Sequence, residues 1–157
     1  MDDVKKLLAI EEIKQLKARY FRAVDTKDAA LLRSVFTDDA TADYRGSATD
    51  PSSGINAVPG NTEEIVRGGK AITDGVMTAV AHLVSTHHGC MPEISVTGET
   101  SATGIWPMVD LLRMKPGAPV KEMVGYGHYH ETYRRENGAW KIQSLRLSRL
   151  RVDVTPF

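Results

Sequence analysis

The hydrophobic pattern of this chain changes period near residue 82, and that switch constrains the fold more than any other feature. Before it, apolar residues recur every three or four positions. Leu7, Ile10, Ile13, Leu16, Tyr20 and Val24 mark one face of a helix over residues 3–25, with Glu11, Glu12, Lys14 and Lys17 mostly off that stripe. Asp2 or Asp3 can cap its start, and Asp28 caps a second, short helix over about 28–36 that carries Leu31, Leu32, Val35 and Phe36. The pair reads as a helical hairpin. After residue 82, four long β segments follow, at 82–96, 100–114, 120–135 and 139–153. Val96-Thr97-Gly98-Glu99 and Glu136-Asn137-Gly138 are hairpin turns between them, and Lys115-Pro116-Gly117-Ala118-Pro119 is a longer, proline-stiffened loop. Helices first and an antiparallel meander afterwards is an α+β pattern, with the helices packed on one sheet face.

The middle of the chain is less regular. Residues 40–45 predict a short strand ending at Tyr44. Residues 46–61 are rich in Gly, Ser, Pro, Thr and Asn and predict a long loop, which in a compact domain is usually functional or mobile. Thr62-Glu63-Glu64-Ile65 opens another helical stretch, interrupted by Gly68-Gly69 and continued from Ala71 to Ala81.

Composition narrows the function classes. The 157 residues fit one domain, 1–157, large enough to bury a core without a disulfide or structural metal. Lys plus Arg and Asp plus Glu are 20 each, so there is no basic excess of the kind that phosphate binding demands. That argues against a nucleic-acid partner. The lone Cys90 excludes an intramolecular disulfide and any paired-cysteine metal motif, and fits a reducing cytoplasm. No apolar run approaches a membrane span, and no signal peptide is visible.

Several side chains stand out as chemistry. On the strand 100–114, alternation places Trp106, Met108, Asp110 and Leu112 on one face. A carboxylate in that company is either paired or reaches solvent at the strand end. Tyr20 lies on the apolar stripe of the first helix, and Asp25 falls at its C-terminal end, where the helix dipole disfavours a carboxylate. The histidines fall in two groups, His82, His87 and His88 in one and His128 and His130 in the other. His87 and His88 point to opposite faces, so at most one enters a given cavity. His128 and His130, two apart on a strand, have the spacing of a metal-binding pair, but no carboxylate stands at matched spacing. On the last strand Leu145, Leu147, Arg149 and Arg151 share one face and Arg146, Ser148 and Leu150 the other. Either arginine set can be solvated, and an arginine that turns inward would need a partner, for which Asp110 or a substrate carboxylate would serve.

These residues sit in a recognisable order. Ile10 to Asp25, Leu32 to Tyr44 with Phe36-Thr37-Asp38-Asp39-Ala40, His87 to Ile94, Thr103-Gly104-Ile105-Trp106 and Gly138 to Ile142 together resemble the SnoaL-like family of the nuclear transport factor 2-like superfamily. The resemblance covers nearly the whole chain. It implies a cone-shaped α+β barrel, a small-molecule substrate, no metal or organic cofactor, and a homodimer or homotrimer through the outer face of the sheet. Among dehydratases of the family, the similarity to bile acid 7α-dehydratase places that enzyme's active-site tyrosine and aspartate on Tyr20 and Asp25. It places the second tyrosine on Tyr44, the histidine on His87, the strand aspartate on Asp110 and the arginine on Arg149. Scytalone dehydratase and hexachlorocyclohexane dehydrochlorinase are similar in layout. The resemblance therefore implies a His-Asp acid/base lyase or isomerase for a steroid- or polyketide-like molecule, with Trp106, Met108, Leu112, Met77 and Met123 available to line its pocket. The loops 46–61 and 115–119 depart from the dehydratase, so its substrate does not carry over. The superfamily also contains non-catalytic binding and assembly modules, and that alternative stands beside the enzyme.

Overall fold

Asp2 and Asp28 start the first two helices of the computed structural model, which describes residues 1–58 and 64–157. α1 spans Asp3–Thr26. The Asp2 carboxylate accepts a hydrogen bond from the Lys5 amide at 2.8 Å, and the helix ends at Lys27, whose φ of 57° turns its N–H back onto Ala23 and Val24. Its buried face begins at Ala9 and runs through Ile13, Leu16, Tyr20, Ala23 and Val24, leaving Leu7 exposed. Lys17 corrects the expectation. It follows Ile13 by four residues and precedes Tyr20 by three, so it lies in phase with the stripe and is fully buried. α2, Ala29–Ser34, is capped by the Asp28 carboxylate, which accepts the Leu31 N–H at 2.9 Å.

β1 runs Phe36–Asp43, earlier and longer than the expected 40–45, with Tyr44 just past its end. Its alternation is broken where Asp38 and Asp39 both face solvent, and its register against its neighbour shifts between Phe36 and Thr41. β2 is Val66–Arg67 and α3 is Gly69–Val80. Of the helical stretch expected from 62, Thr62 and Glu63 lie outside the described residues. Glu64 and Ile65 are not helical, and Val66 and Arg67 pair with β1. The two glycines therefore begin a helix rather than interrupt one. Gly68 has a φ of 98°, and a Cβ on Gly69 would stand 2.5 Å from the Thr37 carbonyl oxygen.

The remaining strands are β3 (Leu83–Gly89), β4 (Glu93–Val96), β5 (Ser101–Met114), β6 (Glu122–Glu136) and β7 (Ala139–Thr155). The segment expected as one strand over 82–96 is thus two, separated around Pro92, and both halves pair antiparallel with β5. The sheet order is β2-β1-β7-β6-β5-β3, with β4 also on β5. β1 lies parallel to β7, so the meander is antiparallel only from β3 onward. Asn137 and Gly138, with φ of 51° and 81°, make the two-residue turn that joins β6 to β7.

Two register shifts, between Tyr126 and Gly127 and between Thr132 and Tyr133, bend β6 against β7. At the first, a Cβ on residue 127 would lie 1.9 Å from the Ser148 carbonyl oxygen, so only glycine fits. The sheet is curved and unclosed, since no ladder joins β2 to β3 among the described residues. The helices cover one face, and Ile13, Leu16, Leu32, Phe36, Tyr129, Tyr133 and Ile142 fill the core between. Burying each such side chain contributes about 1.5–3 kcal/mol. Among the described residues no helix is long and apolar enough to cross a membrane.

Candidate active site

A cavity of about 720 Å³ opens between the helices and the sheet. Much of its wall is apolar, with Ile72, Val76, Val80, Leu83, Leu112, Met123 and Leu147 among the lining residues. Polar groups reach it from five elements: Tyr20 of α1, His87 of β3, Asp110 of β5, Tyr129 of β6 and Arg149 of β7, with Tyr44 just after β1. An apolar chamber with a few convergent polar groups is the usual form of a small-molecule site.

Asp25 and His87 form the first constellation. The Asp25 carboxylate accepts hydrogen bonds from the His87 backbone N–H at 2.8 Å and the Ser85 hydroxyl at 2.9 Å, and its Oδ1 lies 2.6 Å from His87 Nδ1. Burial works to raise the Asp25 pKa, but the bonds from His87 and Ser85 outweigh it and hold the carboxyl below its usual value. The aspartate is thus ionised at neutral pH. With the Nδ1 proton directed to Asp25, Nε2 is the ring nitrogen left for a ligand. The imidazole also stacks on Phe21, with centroids 6.2 Å apart and planes at 16°. An aspartate at a helix C-terminus makes sense here because three donors from β3 hold it.

Asp110 and Arg149 form the second. Two parallel bonds of 2.7 and 2.8 Å join guanidinium and carboxylate, both nearly excluded from solvent. Arg149 Nε also donates to the Ser47 carbonyl oxygen at 2.6 Å, tying the 46–58 loop to the sheet. Gly125 faces Asp110 across the ladder, and a Cβ there would stand 2.3 Å from both Asp110 Oδ1 and Arg149 Nη1. The pair exists because residue 125 has no side chain.

The tyrosines form the third. The Tyr20 and Tyr44 hydroxyls are 3.1 Å apart, and Tyr129 packs edge-on to Tyr20 with centroids 5.8 Å apart. Burial, the largest cause, lifts all three phenols well above the usual tyrosine value. They stay protonated and able to donate.

Placement differs from expectation for several residues. Trp106 and Met108 share a β5 face with Asp110 and Leu112 but do not line the cavity. They are packed into the main core, where Trp106 Nε1 donates to the Tyr133 hydroxyl at 2.7 Å and Met108 Sδ lies 3.4 Å from Arg149 Nη1. Only the later part of β5, from Asp110 on, reaches the chamber. Met123 lines it, and Met77 does not. His82 precedes β3 and sits on the cavity wall, while His88 is exposed on the other face. His128 and His130 lie on the face away from the helices with ring centroids 6.3 Å apart, and His130 Nε2 is 2.9 Å from Ser148 Oγ. Among the described residues no three His, Cys, Asp or Glu side chains gather as a metal site.

The sequence matches a SnoaL-like domain over residues 5–146. The chain belongs to the SnoaL-like family. Its fold is shared with solved structures across nearly their whole lengths. A scytalone dehydratase-like protein from Novosphingobium aromaticivorans superposes with a TM-score of 0.78 at 16% identity, covering 99% of this chain and 97% of that one. A hexachlorocyclohexane dehydrochlorinase, LinA type 3, from Novosphingobium barchaimii superposes with a TM-score of 0.76 at 19% identity, covering 98% and 94%. At these identities the likeness concerns the fold.

In this SnoaL-like protein, sequence reasoning missed Tyr129 on the cavity wall and the Lys17–Glu131 pair beneath it. A signal was present. Gly125, Gly127, Tyr129, Glu131 and Tyr133 form one row of β6 by alternation, and a carboxylate within such a row needs a cation. The cation is Lys17, in phase with Ile13 and Tyr20 on α1.

Proposed function

We propose that this protein is a lyase that eliminates water, or a comparable leaving group, from a hydrophobic oxygenated small molecule by general acid/base catalysis. The observation that supports this reading is convergence. The apolar chamber receives His87, backed by Asp25, together with the phenols of Tyr20 and Tyr44 and the Asp110–Arg149 pair.

His87 Nε2 takes a proton from a carbon next to an electron-withdrawing group. Asp25 keeps the tautomer and stabilises the imidazolium, as the third member of a triad does. The phenols donate to the substrate oxygen on which charge develops. The electron pair left by the C–H bond forms the C=C bond as the C–O bond breaks, and the imidazolium proton converts the departing hydroxide to water. This sequence requires no metal or organic cofactor. Where no leaving group departs, the electron pair passes to the carbonyl oxygen as an enolate, and returning the proton to a different carbon of that enolate would give an isomerase with the same groups. Asp110 and Arg149 stiffen the wall, and they are the groups that would meet a leaving group or an acidic substituent there.

A binding module without chemistry has no need of a part-buried His-Asp pair at its cavity wall. The test is His87→Ala, screened with the wild type against hydrophobic β-hydroxy carbonyl compounds. Wild type should release water and show a new conjugated absorbance. The variant should lose about 10²–10⁴-fold in kcat while keeping its cooperative melting. A turnover number unchanged in His87→Ala removes the histidine from the base role.

A further inference from the structure

Beneath the cavity floor lies a charged pair that the proposed elimination does not use. Lys17 of α1 and Glu131 of β6 are both completely buried and joined Nζ to Oε1. Glu131 also accepts a hydrogen bond from the Tyr133 hydroxyl at 2.5 Å, and that hydroxyl accepts one from Trp106. The carboxylate is therefore fully engaged. The ammonium has a second set of neighbours. It stands 3.6 Å from the ring centroid of Tyr129, 4.1 Å from that of Tyr20 and 4.8 Å from that of Phe21. Each lies within the range in which a cation is attracted to an aromatic face. Two of the three rings belong to tyrosines that line the cavity, and the third stacks on His87.

A buried ion pair is seldom the cheapest way to fill a core, because desolvating both charges offsets most of their attraction. Here the cation has an additional effect. A positive charge on the face of a phenol draws electron density from the ring and makes its O–H a stronger hydrogen-bond donor, and three ring contacts from one atom fix the planes of the donors.

We propose that Lys17, held by Glu131, is a positioning residue that orients the Tyr20 and Tyr129 rings and strengthens their hydroxyls toward a negatively charged oxygen in the cavity. The ligand class that follows is a delocalised oxyanion on an apolar body, a phenolate or an enolate. The inference rests on the lyase reading only for the biological meaning of that oxyanion.

The experiment is therefore a binding measurement that involves no turnover and no change at His87. The probes are 4-nitrophenol, followed by its phenolate absorbance, and nitrobenzene, which has the same ring without the hydroxyl. Three proteins are compared: wild type, Lys17→Met/Glu131→Gln and Tyr129→Phe. The double substitution removes both charges together, so no buried ion is left unpaired, and its fold is checked by near-ultraviolet circular dichroism. Wild type should bind 4-nitrophenol as the phenolate at least tenfold more tightly than nitrobenzene. Both variants should lose most of that preference while their nitrobenzene affinity stays within twofold. A folded double variant that keeps the preference overturns the proposal, as does one that loses affinity for both probes equally, which a merely structural role would produce. A wild type without the preference overturns it as well. None of these outcomes bears on whether His87→Ala abolishes turnover, so the two readings fail separately.

Discussion

At the scale of single residues, the site depends as much on missing side chains as on present ones. Asp110 is readable from the sequence as a carboxylate among apolar neighbours, whereas Arg149 stands apart from Arg146 and Arg151 only through the family resemblance. What brings them together is Gly125, which alternation alone marks as one more buried glycine. A methyl group there would meet Asp110 Oδ1 and Arg149 Nη1 at 2.3 Å. Gly125→Ala should therefore splay the pair and destabilise the protein by about 1–3 kcal/mol, the usual cost of overpacking. Urea denaturation measures this directly, and an unchanged midpoint would show that the strands can move apart freely. Lys17 was missed for a different reason. Charged residues are placed off a helix's apolar stripe by default, and only a matching carboxylate in the tyrosine row of β6 argues otherwise.

At the scale of elements, local chemistry predicted starts and turns well and irregular pieces poorly. The capping aspartates and the Asn137-Gly138 turn each carry their geometry within a few residues, so both helices start and the β6–β7 hairpin turns where expected, although α2 ends at Ser34 and Phe36 belongs to β1. β1 was misplaced because its bulge at Asp38–Asp39 destroys the period that would reveal it, and β2 is too short to have one. The 46–58 loop illustrates the limit. Its composition says only that it is not regular, yet it is anchored. Asp50 Oδ1 accepts bonds from the amides and hydroxyls of Ser52 and Ser53, and Oδ2 accepts the Val152 N–H at 2.9 Å from the far end of β7. Ala48, Ala57 and Val58 of this loop line part of the cavity. Asp50→Ala should release the loop from β7, seen as faster limited proteolysis confined to residues 46–58, with little change in the exchange protection of β5 and β6. Cleavage at the wild-type rate would mean that Asp50 does not anchor the loop.

At the scale of the whole molecule, acid should act through a few engaged carboxylates. Hydrogen bonds from Arg134 hold Asp39 down to about 2, and those from Ser52 first, then Val152 and Ser53, hold Asp50 lower still. Asp25 is held below the usual 3.8 despite its burial. For each, the folded pKa lies below the unfolded one, so the unfolded chain binds more protons as the pH falls. Their contribution is complete above about pH 5 and is lost progressively as the pH drops toward and through the folded values. Calorimetry should find these groups adding no slope to Tm between pH 7 and pH 5 and a steady decline below 4. A Tm unchanged down to pH 2.5 would contradict that account. The α+β class and the helices-on-sheet arrangement were legible because the change of period is global. The parallel placement of β1 was not, because nothing local records which strand lies beside which.

That placement bears on how the chain is made. Residues 36–43 are synthesised about a hundred residues before their β7 partners at 142–146, and β7 also supplies Arg149 and the donor that fixes Asp50. Until that stretch has left the ribosome, the first strand has no neighbour on its β7 side and the chamber has no far wall. The site therefore stays incomplete through most of synthesis, and the residues of β7 are the last it requires.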